Sequence, residues 1–161
     1  LKVSVLLKKY YNKDGALNDR DRKGECYLVR KGKGVQFVHD SNATKIDGKN
    51  HKEVSEIFKR VKRFYSYDEH TMFSRYAVMC GCESIVISAK YSDVDSWNSN
   101  PLSRAGIALG VKDLDRVREE ALSIEDILLE EERILKSQLR DVIHCATIFF
   151  EEPKYNYFRI K

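Results

Sequence analysis

The sequence predicts an α/β protein, a Rossmann-like three-layer domain with a mostly parallel sheet and a long C-terminal helical segment. Two observations carry this reading. Short apolar runs rich in β-branched and aromatic residues, at 25–29, 63–67 and 84–88, alternate with segments of helical spacing at 52–61 and 71–80. That order of elements favours parallel pairing, with the connecting helices packed on the sheet.

Taken in order, residues 1–7 read as a strand or a short buried segment. Residues 8–23 are polar, carry the turn signal Asp14-Gly15 and read as a loop. The run 25–29, "ECYLV", is strand-like and leads directly into Arg30-Lys31-Gly32-Lys33-Gly34. Residues 35–38 form another extended run, and 44–47 a further one closed by Gly48. In 52–61, Val54, Ile57, Phe58 and Val61 stand at i, i+3, i+4 and i+7, one face of a helix that Asn50 or His51 starts.

Residues 63–67 make the next strand. The helix over 71–80 turns Met72, Tyr76 and Met79 or Cys80 inward, and Gly81 terminates it. Ile85, Val86 and Ile87 mark 84–88 as a buried strand. Residues 91–104, with the single Trp97 and Pro101, read as a loop holding one helical turn, and 106–110 as a last strand. From Asp113 the chain is helical. Leu114, Val117 and Ala121 share one face, and Ser123-Ile124-Glu125-Asp126 looks like a fresh start with an acidic first turn. A stripe through Ile127, Leu128, Ile134, Leu135, Leu139, Val142 and Ile143 is expected to be buried. Pro153 ends the helix, and the tail with Tyr155, Tyr157 and Phe158 is expected to dock on the body. The organisation predicted is a single domain over 1–161, its helical segment 112–161 packing on the rest.

Composition narrows the class. The chain has 161 residues, enough for a real core, and 34% charged against 42% hydrophobic residues describes a soluble globular protein. No apolar run is long enough to span a bilayer, and no secretory leader is expected. The start at Leu1 fits a piece of a longer polypeptide. A net charge of +4 suits phosphates, nucleic acid or an anionic membrane surface and selects none of them. Cys26, Cys80, Cys82 and Cys145 include no C-x-x-C pair; reduced, structural thiols fit, with Cys26 and Cys145 packing like small hydrophobes in a cytosolic compartment.

The chemistry is expected at the strand ends. In open parallel sheets, ligands bind outside the carboxyl ends of the strands, near helix N-termini. Ser66, Tyr67 and Asp68 occupy such an end, and Thr71 with the following amides begins the next helix. Unpaired N–H groups and the positive end of the helix dipole favour an anion there, typically a phosphate. The same residues also read as a plain helix cap. Arg30 and Lys31 follow an earlier strand, so their cations belong on the same edge, and the glycines beside them let backbone approach a phosphate closely. The stretch is not a P-loop, and a basic turn is its simpler reading.

These stretches together resemble a known family. "RKGECYLVRKGKG" followed by "IDGKNHKEVSEIFKRVKRFYSYDEHTMFSRYAVMCGCESIVI" is similar to the C-terminal half of GT-B type bacterial glycosyltransferases of surface-polysaccharide biosynthesis. The patterns are R-K-G-x-C-Y, R-K-G-K, S-Y-D-x-x-T-x-x-S and C-G-C-x-S-[IV]-V-I. The resemblance covers residues 22–88, with "GIALGVKDLDRV" a looser fit. It implies a donor-binding domain for a nucleoside-diphosphate sugar. Arg30 and Lys31 would hold the diphosphate, Thr71 and its neighbours with Ser74 would contact phosphate, and Asp68 would lie near donor hydroxyls or the phosphates. It implies no other cofactor, a glycan or lipid-linked acceptor, an N-terminal GT-B domain absent from this chain, and a cytoplasmic place at the inner face of a membrane, with peripheral contact. On this reading the chain alone binds but transfers little. Tyr76 departs from the pattern, standing where many GT-B enzymes carry a Glu that binds ribose hydroxyls. The stretch from Arg30 to Ile46 is also short for a crossover helix.

Other motifs compete. Asp19/Asp21, Asp93/Asp95 and Asp113/Asp115 are D-x-D strings, which in another glycosyltransferase fold bind a metal; three in so charged a chain point to chance, and no metal is expected. His39, His51, His70 and His144 show no ligand spacing, although His70 stands beside the proposed phosphate rim. Lys8, Lys9, Tyr10, Tyr11 and Lys13 interleave charge and aromatic rings as a single-stranded nucleic-acid binder does, while the glutamates from Glu119 to Glu132 count against an extended basic face, so no nucleic acid is expected. A third alternative is a non-catalytic partner-binding domain using the long C-terminal helix.

Overall fold

The computed structural model describes residues 8–32, 34–120 and 123–151. Expectations for residues 1–7, Lys33, Ala121 and the tail from Pro153 lie outside them. The described chain is an α/β protein built on one five-stranded, all-parallel sheet with helices on both faces. Its strands are β1 (Glu25–Leu28), β2 (Thr44–Lys45), β3 (Arg63–Ser66), β4 (Glu83–Val86) and β5 (Ile107–Leu109), in the order β2-β1-β3-β4-β5.

One face packs against α1 (His51–Phe58) and α2 (Met72–Met79) through Cys26, Leu28, Phe64 and Phe58. Strand alternation sends Tyr65, Tyr67 and Ile85 to the other face, under α5 (Leu114–Glu120). Trp97 and Ile124 close the β5 end against Val78 and Val86.

The helices start where local chemistry directs. Asn50 and Glu53 form a complete capping box on α1, with the Glu53 N–H donating to Asn50 Oδ1 at 3.0 Å and the Asn50 N–H to Glu53 Oε2 at 2.9 Å. Thr71 caps α2, its Oγ1 accepting from the Phe73 N–H at 3.3 Å. Gly81, at φ 81°, ends α2 as its sequence position implies.

Four expectations change. Residues 35–38 form no strand, and Phe37 and Val38 are exposed. β1 is already paired on both edges, by β2 and β3, so the run finds no free edge there. Residues 91–104 hold two short helices, α3 (Val94–Trp97) and α4 (Pro101–Arg104), each started by an Asx cap, Asp93 and Asn100. The 8–23 segment is irregular as expected, yet Tyr11 and Arg22 within it are buried. In α6 (Ile124–Glu151) the expected stripe packs at its start, through Ile127 and Leu128 beside Ile124; Ile134, Leu135 and Leu139 are half-buried, and Val142 and Ile143 are exposed.

Candidate functional site

The first crossover leaves β1 for β2 on one side, and the later ones run through β3, β4 and β5 on the other. The topological switch therefore falls between β1 and β3, where connections diverge and a crevice opens at the strand carboxyl ends. A cleft of about 640 Å³ lies there. Its walls come from the turn after β1, the segment between β2 and α1, and the loop between β3 and α2.

The turn after β1 contributes Arg30 and Lys31. It is closed by the Gly32 N–H donating to the Val29 carbonyl at 2.7 Å. Arg30 is the one non-glycine residue with positive φ, 38°, among the described residues. Its guanidinium stands 6.0 Å from the Phe73 ring centroid, within reach of a cation–π contact. Across β2, the Asp47 carboxylate accepts from the Val29 N–H at 3.0 Å and the Arg30 N–H at 2.9 Å.

The loop after β3 contributes Asp68, His70 and Thr71. Ser66 Oγ donates to the Asp68 carbonyl at 2.7 Å, and the His70 N–H reaches Asp68 Oδ1 at 3.4 Å. Asp68 is only 6% exposed, so a nearly buried carboxylate borders the cleft. Beside it the first amides of α2 supply the positive end of a helix dipole. Thr71 is thus a cap, and its hydroxyl hydrogen remains a donor.

An aromatic group backs the cleft. Tyr76 and His51 line it. Tyr11, fully buried, stacks on Tyr76 at 4.0 Å with rings 1° apart. The Tyr11 hydroxyl shares a hydrogen bond of 2.8 Å with His51 Nδ1, and burial pushes the phenol well above its ordinary range. The imidazole is thereby fixed in orientation at the first residue of α1.

Of the residues singled out in the sequence, Arg30, Lys31, Asp68 and Thr71 line this one cleft. Ser66, Tyr67 and Ser74 do not. Ser66 is fully buried and braces the Asp68 backbone. Tyr67 points to the other face of the sheet, where its hydroxyl accepts from the Val38 N–H at 2.9 Å and meets His39 Nδ1 at 2.7 Å. Ser74 is buried in the first turn of α2. Sequence reasoning overlooked Asp47 and His51; both follow β2 at the same sheet edge, and the rule that placed Arg30 there would have found them.

Two of the three D-x-D strings have local roles. Asp93 caps α3, Asp95 pairs with Arg104, and Asp113 binds Arg116 and the Leu109 N–H. Lys8 and Lys13 pair with Glu132 and Glu125 of α6, so with Tyr11 buried the basic–aromatic stretch is no open strip. Among the described residues no His/Cys/Asp/Glu group is arranged to hold a metal, and no helix is long and apolar enough to cross a membrane.

The fold and the cleft define an open, all-parallel α/β domain with a polar crevice at its switch point. A scan against protein-family models found no match, and searches of curated proteins and of solved structures found none either.

Proposed function

We propose that the cleft binds the diphosphate of a nucleotide sugar, and that the chain is the donor-binding half of a metal-independent GT-B glycosyltransferase. Its partner would be an N-terminal domain carrying a glycan or lipid-linked acceptor, at the cytoplasmic face of a membrane in bacterial glycan assembly. The single observation that supports this reading is that the Arg30–Lys31 turn and the Thr71-led start of α2 border one cleft at the strand carboxyl ends. Arg30 offers a planar fork to a diphosphate, Lys31 a point charge, and the α2 amides neutral donors. Asp68, acceptor-only when ionised, repels phosphate and accepts from sugar hydroxyls instead.

The test is a calorimetric titration with nucleoside diphosphates and their sugars, alongside thermal unfolding. A ligand at a hundred times its Kd adds about 2.7 kcal/mol of stability. Arg30→Ala weakens binding by about 1.5–3 kcal/mol, the worth of a charged hydrogen bond. If no nucleotide binds, or if Arg30→Ala binds as the wild type does, the reading falls.

One observation favours a second reading, a partner-binding role for α6: Val142 and Ile143 are 47% and 64% exposed. Under it, Ile143→Glu abolishes association with a partner domain and leaves nucleotide binding untouched.

A further inference from the structure

We infer that Asp47 is the positioning residue of the cleft, its carboxylate gripping the turn that carries Arg30 so that the guanidinium faces the ligand. The inference rests on reading the cleft as an anion site.

Asp47 directs its charge at main chain. Its two oxygens take two successive amides, Val29 at 3.0 Å and Arg30 at 2.9 Å. Such charge-assisted bonds are the stronger kind, and here they are spent on backbone. Among the described residues, no ion pair joins the Arg30 guanidinium to Asp47 or to any other carboxylate. An ordinary Asp beside an Arg would neutralise it; this one binds the residue's backbone and leaves the side chain to the cleft.

The conformation held is a costly one. At φ 38° Arg30 lies in the left-handed region that residues with a Cβ avoid. Strained backbone of this kind persists only where its surroundings over-determine it. Three restraints do so: the Asp47 carboxylate, the Gly32-to-Val29 hydrogen bond at 2.7 Å, and the packing of Gly32 against the Tyr67 backbone. From that conformation the guanidinium reaches Phe73, whose ring lines the cleft. Asp47 itself comes from the far side of β1, after β2, so it couples two walls of the cleft through one carboxylate.

Inorganic pyrophosphate, titrated calorimetrically into the full chain, is the probe. Asp47→Ala weakens its binding by at least about 10-fold, and Asp47→Asn, which keeps one acceptor oxygen, recovers part of the loss. In an Arg30→Ala background, Asp47→Ala changes the affinity by less than about 2-fold, because it acts through Arg30. A role confined to stability would lower the melting temperature without this non-additivity. Wild-type affinity in Asp47→Ala, or independent effects in the double variant, overturns the inference.

A ligand-free measurement separates this inference from the function proposed. With the guanidinium 6.0 Å from the Phe73 centroid, a ring-current shift of the Arg30 side-chain NMR signals is expected; it is lost in Phe73→Leu and in Asp47→Ala and partly kept in Asp47→Asn. If wild-type protein binds no pyrophosphate, the donor-site reading fails while the ring shift still decides the role of Asp47. Arg30 signals unmoved by Asp47→Ala refute it.

Discussion

Gly32 and Tyr67 meet backbone to backbone: a Cβ built on Gly32 would overlap the Tyr67 carbonyl and stand 2.6 Å from Tyr67 Cβ. The contact ties the turn after β1 to the end of β3, and so fixes the distance between the cationic wall of the cleft and the wall that carries Asp68. Glycine is required here by space, since its φ is not among the positive ones. Gly32→Ala has no flexible neighbour to displace, because the obstacle is main chain. Overpacking of this kind costs about 1–3 kcal/mol. Urea unfolding is expected to show a lowered midpoint at unchanged slope, and an unaltered midpoint would contradict the contact.

Arg22 carries a larger share of the stability. The residue is 5% exposed, and its guanidinium donates to four carbonyls: Leu17 at 3.0 Å, Phe58 at 2.8 Å, Val61 at 3.2 Å and Cys80 at 2.5 Å. Phe58 and Cys80 stand at the ends of α1 and α2, where carbonyls lack helical partners and a cation suits the dipole. One side chain therefore closes both helices on this face. Arg22→Met leaves several buried carbonyls unpaired, at about 1–3 kcal/mol each, and is expected to lower stability by about 3 kcal/mol or more. Arg22→Lys restores little, since an ammonium cannot span the same four oxygens. Chemical denaturation of the two variants checks this; a loss under about 1 kcal/mol for Arg22→Met would refute it.

Much of this layout is legible in the chain, and the exceptions share a cause. Alternating strands and helices fix an α/β sheet, and in a parallel sheet every strand's carboxyl end lies on one edge. That suffices to bring Arg30 and Thr71 to the same cleft. What periodicity omits is the identity of the partner. Tyr11 sits in a polar stretch, and its burial comes from partners distant in sequence, Tyr76, His51 and Phe58. Tyr67 ends a strand near the cleft, yet the two-residue alternation turns its ring to the far face. The apolar stripe of α6 states that a face seeks cover. It cannot state that Leu128 packs on the core while Val142 and Ile143 stay exposed.

Thiol chemistry separates the cysteines in one experiment. Cys26, Cys80 and Cys82 are buried, while Cys145 on α6 is exposed, against the expectation that it packs like a small hydrophobe. Burial pushes the Cys80 thiol up to about 11 and raises those of Cys26 and Cys82 as well. Since the thiolate is the reacting form, these three are both shielded and protonated near neutral pH. A maleimide or disulfide reagent is expected to label one thiol per chain quickly in the native state and all four after denaturation. Cys145→Ser should remove the fast phase, and a second fast thiol would refute the burial described.

The pH dependence turns on His39, which stacks on Tyr27 with ring centroids 3.9 Å apart and meets the Tyr67 hydroxyl through Nδ1 at 2.7 Å. The Tyr67 oxygen already accepts from the Val38 N–H, and burial keeps its own proton in place, so we assign that proton to His39 Nδ1. The imidazole is thus held neutral, with Nδ1 as acceptor. Burial lowers its pKa from the ordinary 6.5, outweighing the pull of the Glu25 and Asp40 carboxylates in the other direction. Protonation would place two donors on one oxygen and leave the Tyr67 O–H without its acceptor. Below about 6.5 the unfolded chain takes up this proton more readily than the folded one, so stability is full above that pH and falls as pH drops towards the folded pKa. NMR titration of the His39 ring is expected to give a midpoint under 6.5. His39→Gln keeps an acceptor for Tyr67 without a titrating ring, and should flatten the decline in stability between neutral and mildly acidic pH. A midpoint at or above 6.5, or an equally steep decline in His39→Gln, would show that the ring is not held as an acceptor.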